Sequence, residues 1–247
     1  MGNKMTDKIC ALATAAMLTA SVWTYNAHAG DELTYSVTLQ GTNDYIFRGL
    51  SYTEEKPAAQ TYTEVGYGIF YGAIWASRAD YLGVYGSWEF DVFLGARPVT
   101  GPITWDLGVW YYMFGSKDTT LHSSDLDYTE FKLGASINPV KNLTLSITGY
   151  YTPEQDVAVV ETETVESAAS FVLPQFGIFI PTVSGVLGWS GSDTNGYWLG
   201  EEDYGYWNAG LRLGVEKFFM DFRYWDTTIE HDSADARFVF TAGVTLP

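Results

Sequence analysis

The chain has 247 residues and carries 30 Asp and Glu against 13 Lys and Arg, a formal net charge of −17. This acidic balance excludes nucleic acids and anionic membrane surfaces as expected partners, because both repel a negatively charged protein. Hydrophobic residues make up 47% of the chain and aromatic residues 17%, which excludes an intrinsically disordered acidic chain.

The first 29 residues predict a signal peptide rather than part of the fold. Lys4 and Lys8 form a basic region before an uncharged apolar stretch, residues 9–23, and Ala27-His28-Ala29 places small residues at both positions of a cleavage site. We therefore expect cleavage after Ala29 and a mature barrel domain spanning residues 30–247. The alternative is an uncleaved membrane helix, which the shortness of the stretch and its interrupting Thr, Ser and Asn residues disfavour.

The single cysteine, Cys10, lies within this signal peptide. The mature domain would then have no disulfide, no thiolate zinc site and no thiol nucleophile. Export without disulfides fits a protein of the bacterial cell envelope. We expect no cofactor and no metal from the sequence.

After the signal peptide, the chain has no run of about 18 uncharged apolar residues, so the sequence predicts no membrane-spanning helix. The aromatic residues and 25 glycines instead indicate β-structure, and export makes an outer-membrane β-barrel the matching class. Composition alone fits a soluble β-sandwich equally well. The choice between these two classes therefore depends on the pattern of the strands.

The first predicted strand begins near Leu33 and continues through the stretch 41–51. This second half is polar on one face and carries Asp44 and Arg48. A barrel wall with lipid outside and water inside accommodates such a strand. We expect both charged side chains to point inward, below an acidic loop that contains a proline.

Alternation of apolar and polar residues recurs along the chain. In the segment 103–109 every odd position is large and apolar, and Leu143, Leu145 and Ile147 alternate with Thr and Ser. The segment 157–189, which contains two prolines, alternates poorly. About twelve segments of roughly the 9–11 residues that a tilted spanning strand needs start near positions 33, 60, 69, 86, 103, 127, 143, 165, 178, 204, 218 and 237.

The connections between these segments are sorted by length. Those after even-numbered strands are short, as at 138–142 and 216–218, and those after odd-numbered strands are mostly longer, as at 115–126 and 191–203. Outer-membrane barrels have short periplasmic turns and long extracellular loops, so both termini would be periplasmic. A sandwich has no reason to sort its loops in this way. Aromatic clusters near strand ends, such as 110–112, fit the girdles at a membrane interface, although a sandwich core would hold aromatics too.

Three motifs near the start of the mature domain are distinctive. They are Asn43-Asp44-Tyr45-Ile46-Phe47-Arg48-Gly49-Leu50-Ser51, then Lys56-Pro57-Ala58, then Phe70-Tyr71-Gly72-Ala73-Ile74-Trp75-Ala76-Ser77. With them, the stretch 36–79 resembles the opening of the TorF-like family of bacterial porins, and a weaker, collinear similarity extends to the last strand. The resemblance implies an outer-membrane β-barrel that forms a pore, and it supplies no catalytic or ligand-binding residues.

The polar face of such a barrel lines its lumen. A charged group on the lipid-facing side costs about 2–4 kcal/mol near the membrane midplane, so inward placement is expected for each charge on a strand. The charged residues that we expect to line the pore are Asp44, Arg48, Glu89, Asp91, Asp106, Glu130, Lys132, Arg212, Asp221 and Arg223.

The order of these charges predicts an acidic wall that faces a basic one. A tight turn after the fourth strand would place Asp91 opposite Asp106, and the tenth and eleventh strands, on the other side of a twelve-stranded ring, carry Arg212 and Arg223. Such a field orients dipolar solutes and selects by charge. The alternative is that these residues pair and fill the lumen. Inward-facing aromatic residues could also close it, namely Trp110, Tyr128 and Tyr150.

The sequence thus predicts an all-β, antiparallel up-and-down barrel of the bacterial outer membrane that acts as a porin for passive diffusion of small hydrophilic solutes. Its expected partners are the lipid bilayer, lipopolysaccharide and those solutes, and a homo-oligomer is left open. The main alternative is a closed structural or adhesive barrel that acts through its acidic loops. A surface hydrolase using His122 or His231 is a third; we expect no enzymatic activity, because such histidines are common in polar loops.

Overall fold

The computed structural model describes residues 32–80, 85–116, 126–155 and 160–247. The predicted signal peptide with its cleavage site, and His122, lie outside these residues. Within them the backbone is mostly β-strand, with a short 3₁₀ helix at Asp232–Ala234. A helix long and apolar enough to cross a membrane is not found among the described residues.

Twelve long strands form the wall, and each coincides with one of the predicted alternating segments. Their starts coincide with the predicted ones or lie within three residues of them, including the two strands in the irregular segment 157–189. They are β1 (Leu33–Thr42), β2 (Ala58–Tyr67), β3 (Phe70–Ser77), β4 (Tyr85–Ala96), β5 (Ile103–Ser116), β6 (Tyr128–Val140), β7 (Leu143–Thr152), β8 (Thr162–Val172), β9 (Ile180–Ser192), β10 (Asp203–Val215), β11 (Phe218–Thr227) and β12 (Arg237–Leu246).

The strands close into a barrel. Each pairs antiparallel with the next along the chain, and β12 pairs with β1, where Val37 lies opposite Leu246 and Thr42 opposite Thr241. Closure gives every long strand two hydrogen-bonded neighbours, so the wall has no free edge. The prediction of an all-β up-and-down barrel of about twelve strands is confirmed.

The two ends of the barrel differ as the sequence predicted. One end has tight turns in which Gly68, Asn142 and Glu216 adopt positive φ angles of 58°, 70° and 51°. The opposite end has the longer connections, including 43–57 after β1 and 193–202 after β9. Both described termini lie at the end with the tight turns, because β1 starts there and β12 ends there.

The exposed face of the wall is apolar and the buried face is polar. On β7, Leu145 and Ile147 are 37% and 54% exposed on the outside, whereas Thr144 on the inside is 2% exposed. Exposed large hydrophobic side chains occur on all twelve strands. A soluble barrel or sandwich buries these side chains instead, since apolar surface is costly in water.

The first strand is shorter than predicted. β1 ends at Thr42, and the stretch 43–51 is not part of the wall. It forms a two-stranded hairpin, Ile46–Phe47 with Leu50–Ser51, whose turn residues Arg48 and Gly49 have φ angles of 50° and 87°. Positive φ at both central residues is the geometry of a tight hairpin turn, which reverses the chain where a continuing strand was expected.

The predicted register between β4 and β5 is also wrong. Asp91 lies opposite Tyr112, not opposite Asp106. The reason is the connection, because Val99–Thr100 pairs with the first residues of β5 around Gly101 and so forms a small hairpin of its own. This extension displaces β5 relative to β4 and directs Arg97 into the barrel.

Candidate functional site

The lumen is the candidate site, and a segment of the chain occupies the half of it that lies at the end with the long connections. We call residues 43–57 the lumenal hairpin. Its side chains reach strands on opposite sides: the ring centroids of Tyr45 and Trp75 on β3 are 5.1 Å apart, and the Tyr204 hydroxyl on β10 donates to the Arg48 carbonyl at 3.0 Å. The lumenal hairpin therefore lies across the lumen.

Apolar burial holds the lumenal hairpin in place. Tyr45, Ile46 and Leu50 are each 1–2% exposed, and Phe47 packs against Tyr112 with ring centroids 6.1 Å apart. Burying such side chains contributes roughly 1.5–3 kcal/mol each, which offsets the entropy of ordering the segment. Gly49 fits only because it lacks a Cβ, which would lie 2.4 Å from the nearest carbon atom of the Thr227 side chain on β11.

Arg48, at the tip of the lumenal hairpin, forms a two-pronged ion pair with Glu130 on β6. The two N–O distances are 2.8 and 2.9 Å, and Tyr112 and Thr152 donate to the same carboxylate at 3.1 and 3.3 Å. The guanidinium also lies 4.6 Å from the Tyr150 ring centroid. Burial alone would lower the pKa of Arg48, but the Glu130 carboxylate raises it well above its usual value. Four donor atoms, two from Arg48 and one each from Tyr112 and Thr152, thus surround the Glu130 carboxylate.

The base of the lumenal hairpin is held by Asp44. Its carboxylate accepts hydrogen bonds from Ser51 at 2.7 Å and Thr53 at 2.8 Å, and it pairs with Arg237 on β12 at 3.1 Å. Arg237 was not among the expected lumen charges, although it is the first residue of β12 and alternation with the outward Phe238 and Phe240 places it on the inner face. Asp44 and Arg48 were expected on a wall strand, and both instead anchor an inserted hairpin.

A second group of ion pairs lies toward the end with the tight turns. Arg97 contacts both oxygens of Glu64 at 2.9 and 3.0 Å and lies 3.6 Å from the Tyr71 ring centroid. Asp106 accepts from Lys132 at 2.7 Å and is 3.5 Å from Arg97. Sequence reasoning missed Arg97 and Glu64. Arg97 belongs to a connection, and only the observed pairing of the strands brings it beside the carboxylates of Glu64 and Asp106.

The remaining expected lumen charges divide into paired and unpaired groups. Arg223 on β11 pairs with Asp221 at 3.1 Å and donates to Ser184 at 2.9 Å. Among the described residues, Glu89 and Asp91 on β4 have no ionic partner, and neither has Arg212 on β10, whose guanidinium lies 3.7 Å from the Phe219 ring centroid. Most of the ten charges thus pair, as the alternative interpretation of the sequence expected.

Inward hydroxyl side chains show where the lumen is closed. In the half at the end with the long connections, Thr152, Thr164 and Ser190 are 3%, 1% and 0% exposed. Toward the other end, Thr144 and Ser170 are also buried, but inward Ser and Thr residues on several strands are half-buried: Ser36, Ser136, Ser146, Thr148, Thr182 and Ser184. We call this part of the lumen the vestibule. It is polar and partly exposed, whereas the half that contains the lumenal hairpin is packed.

His231, one of the two histidines considered for a hydrolase, has a local structural role. Its ring Nδ1 accepts from the backbone N–H of Ser233 at 3.2 Å and caps the short 3₁₀ helix. Nδ1 is also 2.8 Å from the Ser233 hydroxyl, two residues along the chain. These contacts show that the His231 side chain caps the helix in its own loop.

Comparisons with known proteins identify a family and a shared fold. The model of a family described as "Bacterial protein of unknown function (Gcw_chp)" matches residues 24–243. The porin NanC is 11% identical, with a TM-score of 0.56 over 85% of this chain and 99% of that one. The KdgM porin in complex with disordered oligogalacturonate is 9% identical, with a TM-score of 0.57 over 86% of this chain and 98% of that one. No curated protein matches, and the resemblance to the TorF-like family stays a prediction.

Proposed function

This chain belongs to the Gcw_chp family of bacterial proteins, and we propose that it is an outer-membrane channel for small hydrophilic solutes. The observation that carries the proposal is the closed twelve-stranded wall with an apolar exterior and an ionic, hydroxyl-lined interior. In lipid, only helices and closed barrels satisfy every backbone hydrogen bond. A polar lumen that runs through the membrane gives water and small solutes a path across it.

The structural comparisons support the same proposal by analogy of fold. NanC and KdgM are both described as porins, and one KdgM structure holds an oligogalacturonate, a hydrophilic polymer. Fold likeness at this identity does not transfer a substrate. The solute proposed for this chain is therefore restricted to the class that a hydroxyl-lined vestibule accommodates, namely small water-soluble molecules.

The lumenal hairpin gives the channel a constriction. Since it packs across the half of the lumen at the end with the long connections, we propose that solute passes only where this segment leaves space along the wall or moves within the lumen. The same packing favours a second candidate, a closed barrel with a structural or adhesive role through its outer loops. Conduction by the unmodified protein separates the two.

Planar-bilayer recordings of the refolded wild-type chain test the proposal. We expect discrete conductance steps above the protein-free baseline, and we expect vesicles that contain the protein to swell in small neutral sugars. Folding is checked independently by the altered gel mobility that folded barrels show before heating. Folded protein without steps or swelling would remove the channel and leave the closed barrel.

Charge selection is proposed to depend on Arg212. This guanidinium has no acidic partner within 4.0 Å among the described residues, and Thr182, half-buried in the vestibule, lies directly opposite on β9. Arg212→Glu should shift the reversal potential in a salt gradient toward cation selectivity, because an unpaired charge in a narrow polar space changes local ion concentrations. Lys217→Glu makes the same charge change at an exposed turn. Equal shifts in both variants would remove Arg212 as the selecting group.

A further inference from the structure

Two neighbouring carboxylates of the lumen have no partner in the ion-pair network. Glu89 and Asp91 are 1% and 0% exposed, and no Lys, Arg or His of the described residues lies within 4.0 Å of either. They are two residues apart on β4, so both side chains point to the same, inner face. An uncompensated buried carboxylate is strongly unfavourable, and two side by side also repel each other.

Polar atoms around this pair are unsatisfied as well. Oε2 of Glu89 has no hydrogen-bond partner among the described residues, and the Asp91 carboxylate has no side-chain partner there, only the backbone N–H of Met113 nearby. The Tyr45 hydroxyl of the lumenal hairpin donates to Oε1 of Glu89 at 3.3 Å. Trp75 lies directly across from Asp91 on β3, is 1% exposed, and its indole N–H has no acceptor in the described part of the chain. Polar groups without a side-chain partner thus lie on two neighbouring strands at the same level of the barrel.

We propose that Glu89 and Asp91 form a binding site for a hard divalent cation of the Ca²⁺ class. Two carboxylates and the Tyr45 hydroxyl supply the oxygen ligands that Ca²⁺ prefers, and the two negative charges match a divalent ion. Water completes the coordination, and a bound water accepts the hydrogen bond that the Trp75 N–H otherwise lacks. Because Tyr45 belongs to the lumenal hairpin, the ion also ties that segment to the wall.

Terbium luminescence tests the site in the full mature chain, refolded in detergent and freed of Ca²⁺. Tb³⁺ takes the place of Ca²⁺ and emits when nearby Tyr or Trp rings absorb light, so Trp75 and Tyr45 serve as antennae. We expect saturable emission that excess Ca²⁺ displaces and that the double variant Glu89→Gln/Asp91→Asn loses. The matched control is Glu201→Gln/Glu202→Gln, two adjacent acids in an exposed loop, which should retain the emission.

Thermal unfolding gives a readout that does not depend on the double variant. Ca²⁺ should raise the Tm of the wild type and of the Glu201→Gln/Glu202→Gln control relative to chelator, because a ligand of the native state stabilises it. Emission retained in folded Glu89→Gln/Asp91→Asn, or a wild-type Tm that Ca²⁺ leaves unchanged, would overturn the site. Neither readout requires conduction, so a barrel that binds Ca²⁺ without conducting would leave this proposal standing and remove the channel.

Discussion

Removing the lumenal hairpin should produce a large, steady conductance in planar bilayers, several-fold above that of the wild type. Thr42 and Ala58 lie directly opposite each other at the ends of β1 and β2, so Asn-Gly in place of residues 43–57 closes the strands with a two-residue turn. This change removes the contacts that the lumenal hairpin makes across its half of the lumen, including those with Trp75, Tyr112 and Tyr204. Adding Glu130→Gln avoids an unpaired buried charge where Arg48 was bound.

The matched control for this deletion is the connection between β7 and β8. Thr152 lies directly opposite Thr162, so Asn-Gly can replace residues 153–161 with the same turn geometry. We expect this variant to conduct as the wild type does. If the deletion of 43–57 leaves the conductance unchanged in protein that is folded by gel mobility, the lumenal hairpin does not obstruct the path.

The wall of this protein could be predicted from sequence because the features that determine it lie within short segments of the chain. Alternation such as Leu143 to Ile147 fixes which residues face outward, and a tilted spanning strand has a narrow range of lengths. The tight turns at Gly68 and Asn142 then separate neighbouring strands. β8 and β9 can be assigned even though alternation is poor and prolines occur there, because β7 and β10 each need a neighbouring strand with which to pair.

The contents of the lumen depend on information that is not local. The stretch 43–51 alternates like a wall strand, and only packing against Trp75 and Glu130, far along the chain, places it inside the barrel. The pairing of Arg97 with Glu64 likewise follows from the small hairpin before β5 and from the closure of the ring. The inward direction of the charges on wall strands could therefore be predicted, but their partners could not.

Breaking the ion pair between Arg48 and Glu130 should lower the stability of the protein more than breaking an exposed pair does. Arg48→Asn suits the positive φ at this position and removes the positive charge, while Glu130→Gln removes the negative charge at nearly constant volume. Each single substitution leaves one buried charge without its partner, so we expect the free energy of unfolding to fall by about 3–5 kcal/mol. Equilibrium urea unfolding in detergent or lipid, under reversible conditions, measures it.

The double variant distinguishes a coupled pair from two independent losses. Arg48→Asn/Glu130→Gln removes both charges together, so its cost should be well below the sum of the single costs, as expected for residues in direct contact. Lys56→Gln is the control, because it breaks the Lys56–Glu54 pair whose side chains are 48% and 44% exposed, and exposed pairs contribute about 0–1 kcal/mol. Strictly additive single costs, or an Arg48→Asn cost no larger than that of Lys56→Gln, would show that apolar burial alone holds the lumenal hairpin in the barrel.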